Sequence, residues 1–466
     1  MNLAELLSSL PPIKAVPDAR QQIAQRLVES RSQVIVLDDD PTGTQTVHGV
    51  QVHMDWSVNT LRNALTSGNT ASFISANTRA MMAVEADSVA YEIGKNIRSV
   101  CELENITVRV ASRSDSTLRG HFPNEVESLM QGLGWNCDGV VLAPALFEAG
   151  RYTVKDVHYV DQGDSIVPAS ETEFARDPTF SYLNSDLKLW VEEKTRGRLR
   201  PSDVVSVSID DIRLGGPDTV SEKLMSVHGG SPVVVNATCY EDLEVFMLGL
   251  LEAEEQGKLF IYRCAAPFVK VRSGIVDRPL LTREEIGLES DGPGLIVTGS
   301  YVGKTSRQLE VLISSGLVVG EHIDVKNLLD ERSREAEIAR VARWIDDRLR
   351  AGQDAAVFTS RTVLESENYR FLDVGKLIMS GVCEIVRRSS LRPSFVIAKG
   401  GITSIEVARA GLNVKSAAVL GQVLPGVPVW QLGSESKWPV MPYVVFPGNV
   451  GTDTALLDAL RVLRGK

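Results

Sequence analysis

The sequence predicts an α/β protein of two domains with mostly parallel sheets and a ligand cleft between them. Short apolar runs alternate with amphipathic stretches along the chain, which is the pattern of parallel strands joined by crossover helices. A charged segment at residues 272–294, which contains Pro279 and Pro293, divides this pattern into two halves. Hydrophobic residues make up 43 % and charged residues 23 % of the 466 residues, a balance that excludes wholesale disorder.

We therefore expect an N-terminal domain at 1–271, whose first 30 residues form a helical extension, a linker at 272–294 and a C-terminal domain at 295–466. Each predicted strand is a short apolar run bounded by polar or Gly-rich turns. The predicted strands are 34–37, 72–75, 107–111, 139–143, 204–208, 232–236, 295–298, 355–359, 395–398, 417–420, 427–431 and 444–446. The predicted helices are 19–30, 124–133, 332–350 and 453–463, the last with Asp453 as its N-cap.

Charge and cysteine content restrict the classes of partner. A net charge of −11 argues against nucleic acids and anionic membrane surfaces as partners, because both attract basic proteins. The five cysteines are scattered without a C-x-x-C pair, which suits a reducing compartment and offers no zinc framework. We find no signal-peptide pattern and no apolar run of membrane-spanning length. These observations predict a cytoplasmic protein.

An acidic turn follows the first predicted strand, where Asp38, Asp39 and Asp40 precede a Pro-Thr-Gly sequence. Ligands of open α/β sheets bind at the carboxyl ends of strands. Three adjacent carboxylates repel one another, so their charge requires a metal, a cation or a polar ligand. The turn fits a carboxylate that binds a substrate hydroxyl or Mg²⁺, and it fits an acidic helix cap equally well.

Basic and hydroxyl side chains follow the next two predicted strands. Arg79 comes after the strand 72–75, and the segment 112–121 comes after the strand 107–111. Taken alone, Arg79 is more typical of a surface loop, although an arginine at a strand end can bind a carboxylate with two hydrogen bonds. The second segment suits a small polyhydroxy acid, because arginine neutralises a carboxylate while aspartate and serine bond hydroxyl groups. Its side chains with these roles are Arg113, Ser114, Asp115, Ser116 and Arg119.

Glycine-rich turns connect strands to helices at 298–305, 398–404 and 447–453 in the second half. The first turn is not a Walker A loop, because only three residues separate Gly299 from Gly303 where that motif needs four. A turn of this kind can still offer backbone amides to a phosphate. The alternative for each turn is a tight strand-to-helix connection.

The second of these turns has the most specific composition. Gly400 and Gly401 allow a ligand to approach the backbone closely, and Thr403 can cap the following helix and bond a phosphate. The recurrence of such turns in one half predicts a nucleotide-binding domain outside the Walker class.

The motifs and their order resemble those of the four-carbon acid sugar kinase family, which phosphorylates D-threonate, D-erythronate, 3-oxo-tetronates and related acids with ATP. The resemblance covers residues 34–455, nearly the whole chain. The segments that carry it are 39–43 (DDPTG), 113–120 (RSDSTLRG), 173–178 (EFARDP), 299–300 (GS), 399–403 (KGGIT) and 447–451 (PGNVG).

The resemblance implies an N-terminal domain that binds a sugar acid and a C-terminal domain that binds ATP with Mg²⁺. It implies substrate contacts for Asp39, Asp40, Arg79, Arg113, Ser114, Asp115, Ser116 and Arg119. It implies ATP contacts for Ser300, Gly400, Gly401, Ile402, Thr403 and Gly448. A carboxylate near the acceptor hydroxyl would orient it and take its proton. The candidates for this catalytic role are Asp115, which we favour first, and Asp39 and Asp40.

The sequence departs from the family pattern mainly in the acid-binding half. Pro41 stands where many relatives have an aromatic residue, Arg113 where lysine is common and His121 where asparagine is common. The segment 262–268 differs from the Gly-Ser-Ala-Gly pattern of many relatives. These departures bear on which acid is bound.

Two other classes of protein are compatible with the same features. An NAD-dependent oxidoreductase also uses Gly-rich turns, but no G-x-G-x-x-G motif follows the first strand of either half. A non-catalytic sugar-acid sensor could use the same acid-binding residues, but it would not need phosphate-type turns. A homodimer is compatible with a chain of this length.

Overall fold

The fold comprises two compact units in the part of the chain that the computed structural model describes. The described residues are 2–30, 32–40, 43–163, 165–288, 291–299, 303–360, 371–448 and 450–466. The first unit comprises Met1–Gly43 and Asp55–Asp277, and the second comprises Thr44–Met54 and Arg278–Lys466.

Strands and helices alternate in both units, as the sequence pattern predicts. The strands are β1 (Gln33–Asp38), β2 (Val50–His53), β3 (Ala71–Ser75), β4 (Val108–Arg113), β5 (Gly139–Ala143), β6 (Arg151–Val154), β7 (Val157–Asp161), β8 (Ile166–Pro168), β9 (Val205–Val207), β10 (Ser231–Val235), β11 (Phe260–Cys264), β12 (Leu295–Thr298), β13 (Val318–Ile323), β14 (Asp354–Thr359), β15 (Val396–Lys399), β16 (Ser416–Leu424), β17 (Val427–Leu432) and β18 (Pro442–Phe446). The helices are α1 (Leu3–Ser8), α2 (Ala19–Glu29), α3 (Val58–Thr66), α4 (Ala83–Glu104), α5 (Asn124–Leu133), α6 (Leu187–Lys194), α7 (Pro217–Met225), α8 (Tyr240–Glu255), α9 (Ala266–Arg272), α10 (Gly303–Ser314), α11 (Val325–Leu329), α12 (Glu331–Arg350), α13 (Phe371–Arg388), α14 (Gly401–Glu406) and α15 (Ala455–Leu463).

The main sheet of the first unit has the strand order β3-β1-β4-β11-β5-β10-β9, with each pair parallel. Strands β3, β5 and β11 are buried along their whole length, because helices cover both faces of such a sheet. This burial explains the continuous apolar run of β5, whereas β3 also contains Ser72 and Ser75 and β11 also contains Arg263. The carboxyl ends of β1, β3, β4 and β11 meet at one edge of the sheet. A separate antiparallel sheet has the order β6-β7-β8.

The N-terminal extension packs on the first unit through buried arginines. Arg20 of α2 pairs with Glu244 of α8 at 2.6 Å and also donates to the Ile275 carbonyl oxygen at 2.6 Å. Arg213 donates to the Pro11 carbonyl oxygen at 2.7 Å. The extension is therefore part of the fold of this unit.

The sheet of the second unit has the strand order β13-β14-β12-β15-β18-β17-β16-β2. The pairs from β13 to β18 are parallel, and the remaining pairs are antiparallel. The carboxyl ends of β12, β14, β15 and β18 therefore share one edge, and the Gly-rich turns follow three of these strands.

The predicted fold class is confirmed, since each unit is an α/β structure with a mostly parallel sheet. The structure differs from the predicted domain limits in two segments. Thr44–Met54 belongs to the second unit, because β2 pairs with β16, with Val52 opposite Ala417. The predicted linker at 272–294 is divided between the units, which meet in sequence at Asp277 and Arg278. The predicted N-cap of the last helix is wrong. Thr454 is at that position, while Asp453 pairs with Arg307 at 3.0 Å.

None of the described helices combines the length and the apolar character that are needed to cross a bilayer.

Candidate active site

Strand register brings the acidic turn and the basic segment of the first unit together. In the main sheet Asp38 at the end of β1 lies opposite Ser75 on β3 and Arg113 on β4. Arg113 in turn lies opposite Cys264 on β11. Residues that are 75 positions apart in the chain therefore meet because parallel strands end at one edge.

The Arg113 guanidinium contacts all three aspartates of the acidic turn. Its nitrogens lie 2.7 Å from an Asp38 oxygen, 2.8 Å from an Asp40 oxygen and 3.6 Å from an Asp39 oxygen. Both Asp38 and Asp39 are buried, with exposed fractions of 1 % and 2 %. A guanidinium with several donors in one plane suits this geometry. Arg113 is thus the counterion of the acidic turn.

A second group of ion pairs surrounds Asp115. Arg79 contacts Asp40 and lies 3.3 Å from an Asp115 oxygen. Arg119 Nε donates to the other Asp115 oxygen at 2.8 Å, and the Thr117 hydroxyl donates to that same oxygen. The sequence-predicted residues Asp39, Asp40, Arg79, Arg113, Asp115 and Arg119 therefore form one cluster, which we call the Asp–Arg cluster.

Hydrogen bonds to Glu125 support this cluster from the core. The buried Glu125 carboxylate accepts from the Thr78 hydroxyl at 2.6 Å and the Ser112 hydroxyl at 2.8 Å. His121 Nε2 donates to the Thr78 carbonyl oxygen at 3.1 Å. These contacts attach the turn that contains Arg79 to the first residues of α5.

Asp38 and two aspartates of the Asp–Arg cluster, Asp39 and Asp115, differ in their pKa values. Burial raises the pKa of Asp38 to about 7 despite the opposing effect of Arg113, and burial also raises the pKa of Asp39. Burial acts on Asp115 too, but Arg79 and Arg119 hold the pKa of that carboxyl well below its usual value. Neither Asp39 carboxylate oxygen has a hydrogen-bond partner among the described residues. Asp39 is therefore a buried acceptor of raised pKa, whereas Asp115 is a fixed anion.

The acidic turn also has the chemistry of a cation site. Carboxylate oxygens of Asp38, Asp39 and Asp40 lie within 4.8 Å of one another, and Mg²⁺ prefers oxygen ligands. However, Arg113 already supplies a positive charge in contact with each of them. In this arrangement the turn does not fit a resident Mg²⁺ ion.

A buried histidine holds the loop that contains Asp115. His158 Nε2 donates to the Ser116 carbonyl oxygen at 2.7 Å, and His158 Nδ1 accepts from the Thr153 hydroxyl at 3.0 Å. Both contacts require a neutral imidazole with its proton on Nε2. Burial accordingly lowers the pKa of His158 to about 4.

His158 makes the stability of the protein depend on pH. Its pKa is about 6.5 in an unfolded chain and about 4 in the folded protein. When the pH falls from 7 to 5, His158 takes up a proton in the unfolded chain but not in the folded protein, so the unfolded state is stabilised. We expect this residue to lower the free energy of unfolding by about 2 kcal/mol over that interval. Urea unfolding of wild type and His158→Gln at both pH values measures the effect, which the variant should lack. Exposed His228→Gln is the control, and an unchanged slope in His158→Gln would contradict this assignment.

At the corresponding edge of the second unit, buried threonines end two strands. Thr298 ends β12 and Thr359 ends β14, and each is 1 % exposed. Neither hydroxyl has a hydrogen-bond partner among the described residues. A side-chain carbon on Gly299 would lie 2.7 Å from Thr403 Oγ1, so only glycine permits this close approach. The Thr403 hydroxyl and the Gly299 backbone are therefore close together at this edge.

Lys399 links the Gly-Gly turn to the turn at 447–451. Its Nζ donates to the carbonyl oxygens of Pro447 at 2.6 Å and Gly448 at 3.1 Å, and lies 4.3 Å from the centre of the Phe446 ring. Burial lowers the pKa of Lys399 to about 7. The Thr305 hydroxyl also donates to the Gly448 carbonyl oxygen, at 3.3 Å. The carbonyl oxygen of the predicted ATP residue Gly448 is therefore held by Lys399 and Thr305.

The other predicted ATP residues lie on both sides of the Gly-Gly turn. The Gly400 amide donates to the Phe446 carbonyl oxygen at 2.8 Å, so this N–H is already used. Gly401 begins α14, where the first amides of a helix have no partner within it. The Thr403 side chain is buried, while Ile402 is 56 % exposed. Ser300 lies outside the described residues.

Sequence reasoning missed several residues of these two regions. Asp38 was grouped with the acidic turn but not singled out, and Arg263, Lys399, Thr298 and Thr359 received no role. Lys399 and the two threonines stand at the carboxyl ends of apolar strands. The rule that selected the acidic turn, that ligands bind at such ends, could have selected these residues as well. Arg263 follows the apolar run Phe-Ile-Tyr in β11, which was not predicted as a strand.

The fold and these regions define a two-domain α/β protein with a cluster of charged side chains at the sheet edge of one unit and Gly-rich strand-to-helix turns in the other. Two protein-family models match the sequence of this chain. The family of sugar-binding N-terminal domains matches residues 34–272, and the family of nucleotide-binding C-terminal domains matches residues 295–456. The chain belongs to the four-carbon acid sugar kinase family.

Similar proteins include D-erythronate kinase of Heliobacterium modesticaldum, which is 25 % identical over 420 residues, 83 % of this chain and 88 % of that protein. Two crystal structures share the fold. A protein of Salmonella typhimurium LT2 has a TM-score of 0.67 and 17 % identity, covering 92 % of this chain and 99 % of its own. A protein of Haemophilus influenzae has a TM-score of 0.63 and 18 % identity, covering 92 % and 100 %.

Proposed function

We propose that this protein transfers a phosphoryl group from ATP to a hydroxyl, the terminal one, of a four-carbon sugar acid such as threonate, erythronate or an oxo-tetronate. The observation that carries the proposal is the Asp–Arg cluster, which offers a buried carboxylate acceptor within the sugar-binding domain. The similarity to a D-erythronate kinase supports the same class of substrate. The homodimer and the cytoplasmic location expected from the sequence stay predictions.

Asp39 is the residue of the cluster best suited to receive the proton of the acceptor hydroxyl. An efficient general base has a pKa near the working pH, and the pKa of Asp39 is raised by burial. Its two oxygens have no hydrogen-bond partner among the described residues. Asp115, favoured on the sequence alone, is held as an anion by Arg79 and Arg119, which makes it a weak base. We assign Asp115 to orienting the substrate hydroxyls.

The sequence assigned Arg79 and Arg113 to the substrate carboxylate, but their contacts suggest a different role. Arg113 pairs with Asp38 and Asp40, and Arg79 pairs with Asp40 and Asp115. We propose that both arginines keep these carboxylates in place and that their remaining donors bond substrate hydroxyls.

We propose that the second unit binds ATP as its Mg²⁺ complex, in which the metal neutralises charge that develops on the phosphates. Hydroxyls of Thr298, Thr359 and Thr403 and the first amides of α14 are suited to bond phosphate oxygens. Lys399 holds the turn containing Gly448 at the same edge. These groups orient the phosphates without a Walker A loop.

An ADP-release assay with Mg·ATP tests the proposal against a panel of small acids. The panel contains D- and L-threonate, D- and L-erythronate, their oxo forms, glycerate and pantoate. We expect turnover of at least one four-carbon acid. NADH formation without ADP release would instead support an oxidoreductase, and acid binding without ATP consumption would support a sensor.

A further inference from the structure

Arg263 is a buried arginine at the edge of the sheet that carries the Asp–Arg cluster. It lies on β11, opposite Ser112 of β4 and Leu142 of β5, and only 5 % of it is exposed. Its guanidinium carbon lies 5.3 Å from the centre of the Phe122 ring and 5.7 Å from that of Trp190. The two aromatic rings hold the guanidinium in a fixed orientation.

The charge of Arg263 lacks a counterion among the described residues. Its one hydrogen bond there is from Nη2 to the Arg119 carbonyl oxygen at 3.1 Å. Burial lowers the pKa of this guanidinium, and the nearby carboxylates act on it only from a distance. An unpaired buried charge is costly in a folded protein, so an anionic ligand would relieve a cost that the fold already carries.

The arginines of the Asp–Arg cluster have a different environment. Arg79, Arg113 and Arg119 each form ion pairs with aspartates. A substrate carboxylate that bound them would compete with these fixed anions. Arg263 has no such competitor, although it lies beside the same loop.

There is space for a ligand group next to Arg263. A cavity of about 20 Å³ is bordered by the polar side chains of Arg263, Ser114 and Asp115 and otherwise by apolar side chains, and it is large enough for one water-sized group. A side-chain carbon on Gly120 would lie 3.5 Å from Arg263 Nη2 and 3.3 Å from Asp39 Oδ2. The arginine and the proposed base therefore both lie beside Gly120, where even one side-chain carbon would contact them.

We propose that Arg263 binds the carboxylate of the sugar-acid substrate, while Asp39, which lies beside the same glycine, accepts a hydrogen bond from a substrate hydroxyl. The inference rests on the proposed function and specifies which residue distinguishes an acid from a neutral polyol. Arg263 is a binding residue in this account, and the phosphoryl transfer does not pass through it.

The test compares Arg263→Met and Arg263→Lys with the wild type, using D-erythronate and the neutral polyol erythritol as acceptors. Loss of a charge-assisted contact should raise KM for the acid on the order of 10- to 100-fold in Arg263→Met. The kcat value and the KM for ATP should change little. Preference for the acid over erythritol should fall by the same factor, and Arg263→Lys should restore part of it.

Arg272→Lys is the matched control, because Arg272 is equally buried but pairs with Glu254 at 2.9 Å, away from the cluster. Equal losses for acid and polyol, or an unchanged KM for the acid in Arg263→Met, would overturn the inference. Calorimetry of D-erythronate binding distinguishes failure of the inference about Arg263 from failure of the proposed kinase function. If the wild type binds the acid without consuming ATP, the kinase proposal fails, while weaker binding to Arg263→Met still supports the inference and equal binding overturns it.

Discussion

Asp39→Asn is expected to lower kcat by about 10²- to 10⁴-fold, the usual contribution of a general base. Asparagine has nearly the same shape, but its amide cannot take the proton of the acceptor hydroxyl. Because burial raises the pKa of Asp39, kcat of the wild type should also fall as the pH drops through this raised value and the carboxylate becomes protonated. Steady-state kinetics from pH 5 to pH 8 measure both effects.

The comparison with Asp115→Asn distinguishes the two candidate bases. Asp115→Asn removes a fixed anion that pairs with Arg79 and Arg119, so we expect weaker acid binding and a smaller loss of kcat. Asp203→Asn, at an exposed turn of the same unit, is the control for replacing an aspartate by asparagine outside the cluster. Near-normal kcat in Asp39→Asn, with a large loss confined to Asp115→Asn, would assign the base to Asp115.

Arg113→Met is expected to lower the free energy of unfolding by about 3–5 kcal/mol, the cost of removing one partner from a buried ion pair. The variant leaves Asp38 and Asp39 buried without the guanidinium that pairs with them. Because methionine fills much of the same volume as arginine, the decrease in the free energy of unfolding reflects the lost charge more than lost packing. Urea unfolding at pH 7 measures the change.

The double variant Asp38→Asn/Arg113→Met provides the internal test of this prediction. Removal of one uncompensated carboxylate should recover part of the lost stability, because fewer buried charges remain. Arg62→Met, which breaks an exposed pair with Glu104, should cost less than about 1 kcal/mol. A loss for Arg113→Met no larger than that for Arg62→Met would contradict the role of Arg113 as counterion.

Local sequence patterns were sufficient to predict much of the secondary structure and the candidate residues. Strand β5 and helix α5 have the predicted bounds, because an apolar run between turns and a helical periodicity are both local signals. The acidic turn and the segment at 112–121 could also be selected as candidate ligand-binding segments, since each follows a buried strand.

The partners within the site could not be predicted, because they depend on strand order. The insertion of β11 between β4 and β5 places Arg263 beside the Arg113 loop, although the two are 150 positions apart in sequence. Pairing of β2 with β16 likewise depends on contacts between distant segments. Proton affinities such as those of Asp39 and Lys399 depend on burial, which follows from the assembled sheet.

Identification of the reaction product tests the central claim most directly. The protein is incubated with Mg·ATP and each four-carbon acid of the panel, and the product is analysed by mass spectrometry and ³¹P NMR. The account predicts a phosphate monoester of one four-carbon acid, formed by the wild type and greatly reduced with Asp39→Asn. Folded wild-type protein that forms no phosphate ester of any four-carbon acid would contradict it.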